Sequence, residues 1–249
     1  MADGATNAPR PPSPARLLAD LQHSEELRHK PVPALGLVPQ LAMLRGWQAD
    51  RLARTYADLL QDPHYRPACE FFLESVYAPT DYSQRDYDLG RIHGFLSRVL
   101  PGPTIQLLTE TVELNGMTAA LDDRLLRVLV DQLGVTDALT AELYAEAYRI
   151  CDNYAERLRQ IELIRSILSQ VGEGARLRVV GAAMKLAKAP AQKAGWSGVY
   201  DFLDAGRHAF AQMRDVRTFV EAIASRETRI LDFLYAADVQ GFGELAGLI

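Results

Sequence analysis

Three features of the sequence predict an all-α fold. Apolar residues recur at steps of three and four along most of the chain, the spacing of a helix face. No run alternates with period two between turn dipeptides, so no sheet is implied. No fixed-period repeat is present, so a solenoid is not implied either. The expected architecture is a single bundle of roughly eight or nine helices with short connections. It occupies residues 38–249, behind a flexible N-terminal arm over residues 1–37.

In the arm, Met1 to Ala15 is rich in Ala, Pro and Gly and has no apolar period, so it reads as disordered. Leu17, Leu18, Leu21 and Leu27 allow a short helix before Pro31 and Pro33 break it. Pro39 fits the first turn of the first strong helix, where its missing N–H has no partner to lose. Leu41, Leu44, Trp47, Leu52, Tyr56 and Leu59 mark the inner face, and Arg45, Asp50, Arg51, Arg54 and Asp58 the outer one. Asp62-Pro63 stops it.

Residues 67–100 hold the densest aromatic stretch. Pro67 opens a helix on which Phe71, Phe72 and Leu73 lie about one turn from Val76 and Tyr77, and Pro79 ends it. Ser83 is the expected N-cap of the next helix, with Asp86 at its third position and Tyr82 and Tyr87 placed for a hydrophobic staple. Phe71, Phe72, Tyr77, Pro79, Ser83, Arg85 and Asp86 thus form an expected structural corner. A cap and a salt bridge locking the turn are preferred here over a partner-binding corner.

Leu100-Pro101-Gly102-Pro103 is a break. Ile105, Leu108, Val112, Leu121, Leu125 and Leu129 carry the next helix to Leu133, kinked or split at Asn115-Gly116. Gly134 lies just past its end and Thr136 caps a new start. Apolar steps from Leu143 to Val171 allow one long helix, or two with a break at Asp152-Asn153, ended by Gly172 and Gly174. A helix over Ala175 to Lys188 is closed by Pro190. Ser197 caps the next, with Val199, Phe202, Leu203, Phe210 and Met213 inward. The last runs from Asp215 to Ala237, and the tail from Gly241 to Ile249 frays.

Apolar residues make up 48% of the chain, enough for a sizeable core, and the net charge of -5 argues against a general nucleic-acid field. Two cysteines cannot build a disulfide framework and fit a reducing compartment. Met1 to Pro14 lacks the apolar core of a secretory signal, and no stretch approaches the ~20 apolar residues of a membrane span. A cytoplasmic protein is expected.

Catalytic patterns are sparse. Glu70 and Glu74 lie one turn apart, but a di-metal bundle needs inward Glu on four helices and Glu-x-x-His on two of them. Only Glu26 and His29 have that spacing, and Glu110, Glu113 and His93 do not supply it. His93 and His208 are lone helical histidines, and no Cys-x-x-Cys-His is present for covalent haem. Cys69 lies near a helix start, where a thiol can be activated, but no nucleophile signature surrounds it and a buried apolar role is preferred. G-x-S-x-G and P-loop patterns are missing. No catalytic residue, metal site or cofactor is expected.

One charge pattern exceeds background. Between Glu173 and Asp201 there is no acidic residue, while Arg176, Arg178, Lys185, Lys188 and Lys193 fall within the segment. The preferred reading is an ordinary helix whose charges face acidic neighbours. The alternative is a site for an anionic ligand, a partner or a membrane surface at Arg178, Lys185 and Lys188, which share one side of a helix. Arg176 points away from them.

The stretch Phe71-Phe72-Leu73 with Tyr77, Pro79, Asp81 and Arg85-Asp86 resembles a family of uncharacterised bacterial all-helical proteins carrying an FFLxxxYxPxDxxxRD segment. The likeness extends to Phe202-Leu203, Phe210 and Arg226-Glu227. It implies the fold and a bacterial cytosolic setting, and brings no activity with it. The expected function is a non-catalytic interaction or regulatory protein with a protein partner. A small-molecule carrier or sensor with an apolar interhelical pocket is the alternative, and a metal-dependent enzyme comes last. No specific nucleic acid is expected, and a homo-oligomer stays open.

Overall fold

The computed structural model describes residues 38–78, 80–99 and 102–236. The expected arm, its short helix, Glu26, His29, Pro79, Pro101 and the C-terminal tail lie outside these. Ten α-helices and one π-helical segment make up the described residues, with no strand among them.

Helix α1 (Pro39–Thr55) starts on Pro39, as expected, and α2 (Ala57–Gln61) continues it past an interruption at Tyr56. Helix α3 (Arg66–Ser75) has Pro67 in its first turn, and α4 (Ser83–Val99) follows the corner. Helix α5 (Gly102–Arg127) runs unbroken through Asn115-Gly116. It passes into a π-helical segment, Val128–Gln132, where the Leu133 N–H reaches back five residues to the Val128 carbonyl. Gly134, at φ +67°, then turns the chain in a conformation that side chains resist.

Helix α6 (Ala141–Cys151) starts four residues later than expected. Thr140, not Thr136, caps it by accepting from the Leu143 N–H at 3.3 Å. The Thr136 hydroxyl donates to Asp137 instead. The long helix is two helices: Asp152 takes a left-handed φ of +45°, and α7 (Tyr154–Ala175) restarts beyond it. The joint is held by Tyr235, whose hydroxyl accepts from the Asn153 N–H at 2.9 Å and donates to the Asn153 Oδ1 at 3.0 Å. These interruptions at Tyr56 and Asp152 raise the helix number above the roughly eight or nine that periodicity suggests. Periodicity continues across a break that preserves the inward face.

Gly172 and Gly174 do not stop α7. Gly172 lies inside it, against Val216, where a Cβ would sit 2.7 Å from Cγ2 and closer still to Cγ1. Helix α8 (Arg178–Lys193) passes through Pro190 rather than ending there. The missing N–H leaves the carbonyl of Leu186 without a helical donor, on a residue that is 68% exposed. Helix α9 (Ser197–Ala211) has Trp196 at its N-cap, so Ser197 is its first residue and not its cap. The Trp196 N–H donates to the Ala191 carbonyl at 2.8 Å, and its ring is buried at the α8–α9 joint. Helix α10 (Val216–Tyr235) is capped by Asp215, which accepts from the N–H and hydroxyl of Thr218.

Helices α7 and α10 pack along each other as a spine. Two apolar clusters lie against it. One joins Leu44, Leu125, Leu129, Tyr144, Ile230 and Leu234, with Trp47 tilted on Tyr144 at 4.2 Å between ring centres. The other joins Leu52, Leu59, Ala68, Leu168, Phe210 and Phe219, with Phe210 edge-on to Phe219 at 6.2 Å. Phe72 meets Phe210 edge-on at 6.0 Å but is only partly buried, and Leu203 is exposed rather than inward.

Candidate functional site

The described residues Tyr82, Ser83, Arg85 and Asp86 meet Ser75 and, through Phe202, Phe71 at the turn between α3 and α4, by bonds other than those expected. Ser83 does not cap α4. Its N–H and hydroxyl both donate to the Asp81 carboxylate, at 3.0 and 2.5 Å, and the first helical bond runs from the Asp86 N–H to the Tyr82 carbonyl. Tyr82 does not staple to Tyr87, which is 41% exposed. Its hydroxyl donates to the Glu74 carbonyl and its ring lies 4.1 Å under the Arg85 guanidinium. Arg85 is the centre of the corner. It lies between the rings of Tyr82 and Phe202, donates to the Ser75 carbonyl at 2.7 Å, and pairs with Asp86 at 3.0 Å. Phe71 packs on Phe202 at 5.3 Å and closes over Gly206, so α3, α4 and α9 meet here. Tyr77 is partly buried, and burial pushes its hydroxyl's pKa up. Tyr82, Ser83, Arg85 and Asp86 thus use their side-chain polar groups within the corner.

Cys69 is buried in the second cluster, and burial pushes its thiol up to about 12, so the helix start does not activate it. Glu70 and Glu74 are exposed. His93 meets Thr109 at 3.0 Å, and His208 lies beside Asp204 on the surface. Among the described residues, no group of His, Cys, Asp and Glu is placed to hold a metal. No helix among them is long and apolar enough to cross a membrane.

A charged network runs through the middle of the bundle, between the two clusters. Arg51, expected on the outer face of α1, is 7% exposed and donates to Glu227 of α10 at 2.7 Å. The Tyr56 hydroxyl donates to the same oxygen at 2.6 Å. Burial opposes the Arg51 charge, and Glu227 more than offsets it, so the guanidinium's pKa is raised. Burial raises that of Tyr56, and Glu227 adds to it. Next along α10, Arg226 grips both oxygens of Asp58 at 2.7 Å and the Thr55 carbonyl at 2.9 Å.

Arg157 of α7 is 5% exposed, lies 4.7 Å over the Tyr148 ring and donates to the Leu121 carbonyl at 3.3 Å. Asp122 is buried beside Gln48, which donates to it at 3.3 Å, and burial raises its pKa. Arg51 and Arg157 line a small, partly open recess of about 40 Å³, room for a water-sized molecule rather than an organic ligand. This network ties α1, α5, α6, α7 and α10 together, and it presents no activated nucleophile. Sequence reasoning missed it because buried arginines break the polar-outside rule. The signal available was Arg226-Glu227, which the family resemblance already singled out.

Helix α8 is the opposite case. Arg178, Lys185 and Lys188 are all exposed, as is Lys193, and none forms an ion pair among the described residues. The acidic neighbours required by the ordinary reading are not in contact with them among the described residues. Val180, Met184, Ala187 and Ala191, at helical spacing, are the partly buried side of the helix. Arg176 lies outside α8, at the C-cap of α7, so the helical spacing expected to turn it from Lys185 does not apply, and it donates to the Arg214 carbonyl at 3.0 Å. Leu177 and Leu186 add exposed apolar area, at 55% and 68%.

The molecule is therefore an all-α bundle with a charged interior and a basic helix at its rim whose cations form no ion pair among the described residues. It belongs to the family described as "Domain of unknown function (DUF8198)", whose model matches residues 28–241. No curated protein and no solved structure matches the chain.

Proposed function

We propose that this chain is a non-catalytic interaction protein of the bacterial cytoplasm, and that an acidic segment of a protein partner docks on the outer face of α8. The observation that carries the reading is the row of exposed cations, Arg178, Lys185 and Lys188, without ion-pair partners among the described residues. Nine other described arginines form ion pairs, Arg51, Arg124, Arg159 and Arg165 among them. An acidic polypeptide suits this face better than a bilayer. The apolar side of α8 is turned into the bundle, so it is not free to sink into lipid. Leu177 and Leu186 supply apolar contact beside the charges, as mixed protein interfaces use. The carrier reading calls for an apolar interhelical pocket, whereas the recess at Arg51 and Arg157 is small and charged.

The test measures binding of the full chain to a Glu-rich, Leu-containing peptide at two salt concentrations, beside anionic vesicles and duplex DNA. Peptide binding that weakens with salt and is lost when Arg178, Lys185 and Lys188 are all changed to Gln supports the reading. Binding to vesicles alone, no peptide binding, or full binding by the triple variant overturns it.

A further inference from the structure

A second basic feature lies apart from the α8 face. A cleft of about 550 Å³ opens between the C-terminal part of α7 and the start of α10. Four arginines line it: Arg165, Arg176, Arg214 and Arg217. Its floor includes Gly172 and the buried Val220, and the close fit of Gly172 to Val216 sets how near the two helices come.

Three carboxylates also line the cleft, and two are engaged. Glu221 pairs with Arg165 at 2.5 Å. Asp215 caps α10, accepting from the Thr218 N–H at 3.1 Å and its hydroxyl at 2.8 Å. Glu173 is exposed at the edge of α7. On the other side of the balance, Arg214 and Arg217 form no ion pair among the described residues. Arg176 is bound to a backbone carbonyl, which fixes its position without neutralising its charge.

Three guanidiniums outside any ion pair among the described residues therefore share one concave surface. Arg217 is near enough to Asp215 to help the Thr218 hydrogen bonds hold that carboxylate ionised. Four arginines against three carboxylates leave the cleft one positive charge in excess. A carboxylate ligand occupies one such fork. A phosphoryl group offers three oxygens and about two negative charges, and can engage several forks at once. The volume falls within the roughly 300–1,000 Å³ of small-molecule sites, larger than a phosphate alone. We propose that this cleft binds a small phosphoryl-bearing molecule, with Arg214 and Arg217 as its principal contacts and Arg176 as the third cation. The site is independent of the α8 docking face and stands or falls separately from it.

The experiment titrates the full chain with pyrophosphate by calorimetry, against sodium chloride at matched ionic strength. Saturable binding of pyrophosphate and none of chloride is expected. Changing Arg214 and Arg217 together to Gln should weaken it by about tenfold for each arginine, the loss of one charge-assisted contact apiece. Arg217→Lys keeps the charge but loses the fork, and should fall between the two. The variant with Arg178, Lys185 and Lys188 changed to Gln should bind as the parent does. The proposal is overturned by no binding at millimolar pyrophosphate, by equal heats with chloride, or by an unchanged Arg214/Arg217 variant. Loss of binding in the α8 variant alone also overturns it, since the anion would then sit on α8.

Discussion

Arg51 is 7% exposed and has a carboxylate 2.7 Å away, whereas Lys185 stands in solvent on α8 with no ion pair among the described residues. The difference follows from solvation. Water stabilises an exposed ammonium without help, but a buried guanidinium must find its compensation inside the protein. Interior charges are thus committed to the fold, while those on α8 make no such ion pair among the described residues. A cationic side chain carries opposite meanings in the two places, and burial decides which applies.

The sharpest way to break this contrast is Glu227→Ala. It would leave Arg51 buried without its carboxylate and Tyr56 without its acceptor. A loss of about 3–5 kcal/mol in urea unfolding is expected, the usual penalty for stranding a buried charge. A loss below about 1 kcal/mol, the range of surface pairs, would place Arg51 with the exposed cations.

Gly172→Ala probes the α7–α10 spine that carries the network. Helix propensity alone would favour Ala by up to ~1 kcal/mol. Contact with Val216 should reverse the sign and destabilise by about 1–3 kcal/mol through overpacking. A stabilised variant would mean that the spine can part without strain.

Glu110 offers a pH test. Burial works against its charge, but hydrogen bonds from Ser166, Gln106 and Gln170 outweigh it and hold its pKa below the ordinary 4.5. A lowered carboxylate stabilises the fold above its unfolded value, and that contribution is lost as pH falls through the folded value. Glu110→Gln should therefore lose less stability than the parent when acidified through this range, as followed by thermal melts. An unchanged acid profile would remove Glu110 from the committed set.

The smallest effect is expected on α8. Changing Arg178, Lys185 and Lys188 to Gln should move stability by no more than about 0.5 kcal/mol per site. A large loss in denaturant melts would show these cations holding the fold, and the contrast with Arg51 would collapse.

Fold class was legible in the sequence because helical periodicity and proline placement are local signals. Pro39 and Pro67 both opened helices as expected. Caps were less legible. Ser83, Thr136 and Ser197 have the right chemistry for an N-cap, but Asp81, Thr140 and Trp196 hold the key positions. Competing oxygens a few residues apart make that choice a matter of tertiary placement. Arg51 and Arg157 were invisible as core residues, since their compensation comes from residues far away in sequence. The α8 cations were legible in part: their spacing put them on one side, but nothing local could reveal that no carboxylate among the described residues pairs with them.

The chain's two tryptophans fall one in each of the contrasted regions. Trp47 lies against Tyr144 beside the charged network, and Trp196 is buried where α8 meets α9. Intrinsic emission is therefore a two-channel optical readout. A Trp47→Phe chain reports only the α8–α9 joint, and a Trp196→Phe chain only the interior. If α8 loosens before the bundle opens, the first should red-shift at a lower urea concentration than the second, and superimposable curves would make the rim and the core one cooperative unit.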